Sequence, residues 1–138
     1  MANPALTVCC SPPAADTTPR SCSRQVENCN RVGIRANVDV LFGMPGESEA
    51  DAEATIALCR DLAARGARIH THTFMPLPGT PWSHQLPGVI GAPLRRAIQE
   101  LEARGQAYGS WEAQQALAQE LAAFESFTNR RKAARSRA

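Results

Sequence analysis

A chain of 138 residues has room for one modest domain, and its composition excludes several classes of protein. Hydrophobic residues make up 43% and charged residues 20%, so the chain is neither disordered throughout nor a membrane protein. The formal net charge of +2 is too small to indicate a nucleic-acid partner, and the first twenty residues lack the pattern of a signal peptide. These features predict a cytoplasmic protein with no membrane association.

The cysteines do not form a disulfide or zinc pattern. Their number is odd and no secretory signal precedes them, which argues against a disulfide framework. No two of them have the CxxC spacing of a zinc site, although Cys22 and Cys29, with six residues between them, leave a shared metal site open. We expect free thiols in a reducing compartment. The five residues are Cys9, Cys10, Cys22, Cys29 and Cys59.

The first ordered element is expected after a long irregular segment. Residues 1–34 are rich in Pro, Ser, Thr, Cys and Asn without helical or strand periodicity, which predicts a disordered or irregular N-terminal segment. Residues 36–42 are a nearly continuous apolar run, which is typical of a strand buried on both faces in a parallel sheet. That strand is expected to end at Gly43–Gly46, where two glycines and a proline follow.

A helix and a second strand follow the first strand. Ser48 is a candidate N-cap with Asp51 three residues later, and Gly66 is a natural helix stop. Residues 67–74 alternate as a second strand. A strand, a helix and a strand within about 40 residues form one βαβ unit, so the two strands should be parallel. We therefore predict an α/β fold in which residues 35–92 form the βαβ portion.

Residues 93–138 are predicted to form a C-terminal helical extension. One helix is expected over 93–104 and a second over 111–131, with Gly105 and Gly109 on either side of the break. The first should bury Leu94, Ala97, Ile98 and Leu101. The second should bury Trp111, Leu117, Leu121, Phe124 and Phe127.

Two unusual loops should lie on one rim of the sheet. They are FGMPGE (42–47) and FMPLPGTPW (74–82), and each follows the carboxyl end of a predicted strand. In parallel α/β architectures ligands bind at that end, so we expect both loops to face a common cavity. Gly43 and Gly46 allow close approach of a ligand to the backbone, and Phe74 and Met75 offer surface on which a flat ring can pack.

The whole segment resembles a known family. The stretch from VDVLFGMPGE to FMPLPGTPW is similar to the late βαβ segment of radical S-adenosylmethionine proteins, with the resemblance covering about residues 33–125. It implies a fragment of a partial (β/α) TIM-like barrel, about two parallel strands followed by C-terminal helices. The form FMPLPGTPW, with Gly109, Trp111, Gln114 and Leu117 after it, is most similar to members that carry a cobalamin-binding domain.

The resemblance also implies cofactors and site residues. The cofactors are S-adenosylmethionine and a 4Fe–4S cluster, with cobalamin added for the cobalamin-associated branch. The first loop corresponds to the stretch against the adenosyl group, and the second corresponds to the strand end near the adenine. The implied cofactor-binding residues are Leu41, Gly43, Met44, Pro45, Gly46, Glu47, Phe74, Met75 and Pro76.

One departure from the family decides the expected activity. Radical enzymes of this type hold their cluster on a CxxxCxxC loop, and no CxxxCxxC occurs here. The first four strands of the implied barrel are also absent. We therefore expect a fragment with no catalytic residues and no metal ligands of its own. Its exposed strand edge and apolar sheet faces should require the missing barrel half or self-association.

Two other interpretations remain open. His70 and His72 stand at positions i and i+2 of the second strand, so both imidazoles share one face and could bind a divalent metal, as in a barrel hydrolase. His84, Asp39 and Glu47 are candidate further ligands. The alternative without a metal is that both histidines line the interior and are hydrogen-bonded to neighbours. The second interpretation is a non-catalytic helical interaction module built on the C-terminal helices.

Overall fold

The protein is a four-stranded sheet with its helices packed mainly on one side. The computed structural model describes Val8–Cys9 and residues 18–135, with side chains described for residues 18–127. In chain order, the elements of this part are β1 (Val8–Cys9), α1 (Pro19–Arg31), β2 (Asn37–Phe42), α2 (Glu49–Ala64), β3 (Arg68–Thr73), α3 (Ala92–Ala103), β4 (Ala107–Gly109) and α4 (Trp111–Arg135).

The sheet has the order β1-β2-β3-β4, and its last three strands are parallel. The predicted parallel pairing of β2 with β3 is confirmed, with Phe42 opposite Thr73. β1 pairs with β2 in the antiparallel direction. β4 was not expected, because its three residues follow Gly105 closely and end in Gly109, which is the pattern of a turn. The α/β class is therefore confirmed, whereas a closed barrel is not formed by the described strands.

The two faces of the sheet differ sharply in polarity. On the face that packs against the helices, Val38, Val40 and Phe42 of β2 and Ile69 of β3 are buried. The prediction that the first strand is buried on both faces is wrong, because every second residue of β2 and β3 is half-buried or exposed. We call this second surface the open face. The register places on it Asn37, Asp39, Leu41, Arg68, His70, His72 and Tyr108.

The helix between the parallel strands begins and ends as its sequence predicts. Ser48 is the N-cap of α2, and its Oγ accepts a hydrogen bond from the backbone N–H of Asp51 while the Asp51 side chain accepts one from the N–H of Ser48. This capping box satisfies two donors that the first turn leaves unpaired. Gly66, with φ of 93°, follows the last turn. α2 buries Ile56, Cys59, Leu62 and Ala63.

The prediction of an irregular segment is wrong for residues 19–31, which form α1. Thr18 caps this helix, Ser21 completes a capping box, and Pro19 occupies the first turn. Only Cys22 and Val26 are buried, so the apolar periodicity is too sparse to reveal a helix. The capping signal of Thr18, Pro19 and Ser21 was the available indication.

The two C-terminal helices share one core with the sheet. α3 buries the four predicted residues, whereas the predicted stripe of α4 is wrong beyond Trp111. Leu117, Phe124 and Phe127 are exposed, and Gln115 and Ala118 are buried in their place. The apolar residues of α4 are spread around the helix. The core contacts the side that Trp111 shares with Gln115 and Ala118, one and two turns later, and Leu117 lies on another side. This shared core does not favour a separate helical module.

The domain boundaries at residues 34 and 92 stay a prediction. α3 and Trp111 belong to the same cluster of buried side chains as β2, α2 and β3. No helix in the described part of the chain combines the length and apolar character needed to cross a membrane.

Candidate functional site

The loops after β2 and β3 leave the sheet at the same end. The backbone N–H of Phe74 donates to the carbonyl oxygen of Phe42 over 2.9 Å, directly beyond the last paired residues. Because both strands run in the same direction, the first loop (43–47) and the second loop (74–82) begin side by side. The predicted common rim is therefore present.

The first loop is folded tightly on itself. Gly43 and Gly46 have φ of 70° and 80°, a region that favours glycine, and the Glu47 N–H donates to the Met44 carbonyl over 3.0 Å. Glu47 Oε2 accepts a hydrogen bond from the Gly43 N–H over 2.7 Å. Met44 is buried. The loop is therefore a compact unit that presents little side-chain surface.

A returning segment covers the first loop. The N–H of Gly88 donates to the carbonyl oxygen of Gly43 over 2.9 Å. A β-carbon at position 88 would lie 2.9 Å from the backbone carbonyl carbon of Gly43 and from the oxygen of Met44. The two backbones can approach this closely because neither Gly43 nor Gly88 has a side chain.

Glu47 is the electrostatically unusual residue of the rim. Burial raises its pKa above the ordinary value of 4.5, the hydrogen bonds from the N–H groups of Gly43 and Met44 oppose the rise, and repulsion from Asp51 adds to it. Its second oxygen, Oε1, is buried without a hydrogen-bond partner among the described residues. The carboxylate is thus held by the loop backbone at a cost in desolvation.

This shift predicts a stability that depends on pH. The folded protein holds the Glu47 proton more tightly than the unfolded chain does. Protonation of Glu47 therefore contributes to the free energy of unfolding, and this contribution is fully present below pH 4.5 and is lost as pH rises through the folded-state pKa. We expect the free energy of unfolding of the wild type, relative to that of Glu47→Gln, to fall over that range. Urea titrations of both proteins at several pH values measure the difference.

A second variant separates ionisation from hydrogen bonding. Glu47→Ala lacks the acceptor for the Gly43 N–H and should be less stable than Glu47→Gln at every pH. A difference between the wild type and Glu47→Gln that stays constant from pH 4 to 7 would contradict the argument from burial.

The second loop forms an apolar cavity of its own. Phe74 is buried against Trp82, with the ring centroids 5.8 Å apart and the planes inclined by 53°. Met75 is half-buried and Pro76 is buried. The cavity measures about 310 Å³ and is lined by Phe74, Met75, Leu77, Thr80, Pro81 and Trp82.

The cavity beside the first loop is a different one. It measures about 590 Å³ and lies between α2 and α3, with Glu47 and Ser48 at one end and Val89 and Gly91 on its wall. These two cavities are therefore separate from each other and do not form the expected common cavity, since no residue lines both. The returning segment around Gly88 fills space beside the first loop, which the sequence pattern does not reveal.

The open face carries a cluster of three polar side chains. His70 Nδ1 lies 2.8 Å from Asp39 Oδ1, and His72 Nε2 lies 3.1 Å from His70 Nδ1 and 3.5 Å from Asp39 Oδ1. Each side chain is between about a third and a half exposed. Of the candidate further ligands, Asp39 alone joins the histidines. His84 is 79% exposed beside Glu125, and Glu47 is bound to the first loop.

Two residues next to this cluster were missed by sequence reasoning as site residues. The Tyr108 ring stacks on His70 with centroids 4.5 Å apart and planes 4° from parallel. Gln114 Nε2 lies 3.3 Å from His72 Nδ1. Tyr108 belongs to the unexpected strand β4, and Gln114 reaches the cluster from α4, so no spacing in the sequence connects either to the histidines.

The described thiols do not fit an iron–sulfur cluster. Cys22 and Cys59 are buried in the core on α1 and α2, and burial raises the pKa of Cys59 to about 12. Such a thiol is protonated and is a poor metal ligand. Within the described side chains, Asp39, His70 and His72 are the group able to share one ion, and Cys29 does not belong to it. Cys10 and the Cys9 side chain lie outside the described part.

The comparisons with known proteins are sparse. No family profile matches the chain, and no solved structure matches it significantly. Over 74 residues, 54% of the chain, the sequence is 35% identical to the tRNA-2-methylthio-N(6)-dimethylallyladenosine synthase of Halorhodospira halophila (strain DSM 244 / SL1). The chain spans 15% of the length of this curated relative. The match supports the radical S-adenosylmethionine superfamily, and the cobalamin-associated branch is not supported by it.

Proposed function

We propose that this chain is part of a radical S-adenosylmethionine protein and supplies the rim that contacts the adenosyl group. The observation that carries the proposal is the pair of parallel strands whose loops leave the sheet together, with Phe74 hydrogen-bonded to Phe42. Ligands of parallel α/β folds bind at this edge. The partial similarity to a methylthio-transferring synthase supports the same superfamily.

The two loops take different roles in this proposal. Leu41 and the first-loop residues Gly43, Met44, Pro45, Gly46 and Glu47 contact the adenosyl group mainly through backbone, because the loop is tight and Met44 is buried. In the second loop Phe74 and Pro76 are buried, so the surface open to an adenine ring is the half-buried Met75 beside Trp82. A thioether and an aromatic ring are well suited to pack on a flat base.

The chain by itself is proposed to be inactive as a radical enzyme. The described cysteines do not form the three-thiolate site that a 4Fe–4S cluster needs. The rest of the barrel, from another segment or another chain, supplies the cluster and covers the open face. The parent protein is proposed to be an oxidative or methyl-transferring radical enzyme, and the form of its second loop points to cobalamin as a further cofactor.

The methionine methyl groups provide a direct test of adenosyl binding. The chain has three methionines, and Met44 and Met75 place one in each rim loop. We expect titration with S-adenosylhomocysteine to shift the methyl resonances of both with a single dissociation constant, because one ligand contacts both loops. Methyl-labelled NMR measures the two shifts, and assignment uses the variants Met44→Leu and Met75→Leu.

Cytidine serves as the control ligand, since it lacks the purine ring and the thioether. A titration that moves neither resonance, or moves both equally with cytidine, would refute the proposed adenosyl site. Anaerobic reconstitution with iron and sulfide tests the second half of the proposal. We expect neither bound cluster nor 5′-deoxyadenosine, and formation of both would show that the chain is a complete radical enzyme.

A further inference from the structure

The open-face cluster brings three metal-ligating atoms to one point. Asp39 Oδ1, His70 Nδ1 and His72 Nε2 are separated from one another by 2.8, 3.1 and 3.5 Å. Ligand atoms bound to one ion at about 2.0–2.2 Å, with angles between octahedral and tetrahedral, lie roughly 2.8–3.6 Å apart. The triangle therefore has the dimensions of one face of a coordination polyhedron.

Hydrogen bonds among these three atoms leave part of the triangle unpaired. If both imidazole nitrogens carry protons, two N–H donors face each other over 3.1 Å. If only His70 Nδ1 carries one, the lone pair of His72 Nε2 faces the carboxylate oxygen, 3.5 Å away. If only His72 Nε2 carries one, the lone pair of His70 Nδ1 faces that oxygen at 2.8 Å. Each arrangement leaves at least one edge without a hydrogen bond, whereas a central cation attracts all three lone pairs.

We propose that Asp39, His70 and His72 form a binding site for a divalent first-row transition-metal ion such as Zn²⁺. Two imidazoles and one carboxylate favour Zn²⁺, Fe²⁺, Co²⁺ or Ni²⁺ over Mg²⁺ and Ca²⁺, which prefer oxygen ligands. In the chain by itself, the partly exposed side chains leave the remaining coordination positions open to water or to an anionic oxygen. This site does not depend on the proposed function, because none of its residues belongs to either rim loop.

The elements around the cluster hold the ligands in place. Asp39 and His70 are direct partners in the parallel register of β2 and β3, and His72 follows two residues later on the same face. The stacked Tyr108 ring orients His70 from β4. Three ligands on two adjacent strands thus need no loop to bring them together, which favours a preformed site.

Gln114 sets the proton position on His72. Its Oε1 accepts from the Thr73 N–H over 2.9 Å, so its amide nitrogen faces His72 Nδ1 as a donor. A metal bound at Nε2 requires the proton on Nδ1, which must then donate to an acceptor. The amide therefore disfavours the metal-binding tautomer, and Gln114→Glu, which offers a second acceptor oxygen, should strengthen metal binding.

The test uses the full chain with Zn²⁺ and Co²⁺ as probes. We expect one Zn²⁺ per chain in competition with a chromogenic chelator, and a Co²⁺ absorption spectrum of nitrogen and oxygen ligation. His70→Ala and His72→Ala should each weaken binding at least about 10-fold, and Gln114→Glu should tighten it by a similar factor. His84→Ala is the matched control and should leave affinity unchanged, since His84 is exposed beside Glu125 and does not belong to the cluster. Mg²⁺ should not compete.

Three results would overturn the proposal. One is equal affinity of the wild type, His70→Ala and His72→Ala, with far-ultraviolet circular dichroism showing that all three are folded. Another is a sulfur-to-cobalt charge-transfer band that persists in the histidine variants, which would place the ion on cysteines. The third is weaker binding by Gln114→Glu than by the wild type, because a carboxylate beside His72 can only help a bound cation.

Discussion

Replacing Trp111 with alanine is expected to lower the free energy of unfolding by about 3 to 5 kcal/mol, the usual cost of removing a large buried aromatic ring. Trp111 is 2% exposed and starts α4 directly after β4. Its indole N–H donates to Glu102 Oε1 over 3.1 Å, and its backbone oxygen accepts from the Thr73 hydroxyl over 2.9 Å. The side chain of Trp111 therefore connects α4 to α3, and the backbone of the same residue connects α4 to the end of β3.

Trp111→Phe is the matched control for this prediction. Phenylalanine keeps most of the ring and loses the hydrogen bond to Glu102, so its cost should be about 1 to 2 kcal/mol. Guanidinium unfolding followed by circular dichroism measures both variants. A loss below about 1 kcal/mol for the alanine variant would show that the core does not depend on this ring.

Gly109→Ala is expected to separate β4 from β3. A β-carbon at position 109 would lie 2.3 Å from the carbonyl oxygen of Thr71 and 2.4 Å from its hydroxyl oxygen. The carbonyl belongs to the neighbouring strand and cannot rotate away, so we expect a loss of about 3 kcal/mol or more. Hydrogen exchange should accelerate at Ile69, whose N–H donates to the carbonyl oxygen of Gln106, the residue before β4.

A glycine without such a neighbour controls for the substitution itself. The β-carbon of Gly91→Ala would meet only the Pro93 ring at 3.7 Å, an ordinary contact. Its cost should stay below about 1 kcal/mol, the difference between glycine and alanine at an N-cap. Equal losses for the two variants would mean that close strand packing is not the cause.

The sequence predicts those parts of the fold whose signals are local. β2, the Ser48 capping box, α2 and β3 are each defined by a short pattern, and their connection determines that the strands are parallel. β4 was not predicted because a strand of three residues that ends in a glycine carries no periodicity. The exposed residues of α4 escaped it because a helix with apolar residues on several sides does not reveal which side the core contacts.

The candidate sites also combine features that the sequence predicts with features that depend on tertiary structure. The shared rim follows from strand direction alone, so it could be predicted, whereas the cover over Gly43 depends on where the chain returns at Gly88. Asp39 could be named as a possible ligand, and its position opposite His70 required the register. Gln114 lies 42 residues from His72 and meets it only through tertiary packing.

The backbone hydrogen bond between Gly88 and Gly43 links the cavity between α2 and α3 to the rim at the end of the sheet. Gly88 cannot be displaced without releasing its hydrogen bond to Gly43, and the neighbouring Val89 lines the wall between α2 and α3. Glu47 borders the same cavity and is tied to Gly43 from the other side. A molecule bound between these two helices is therefore expected to reach the carboxyl edge of the sheet through two short links, the Gly88–Gly43 backbone hydrogen bond and the Glu47 side chain.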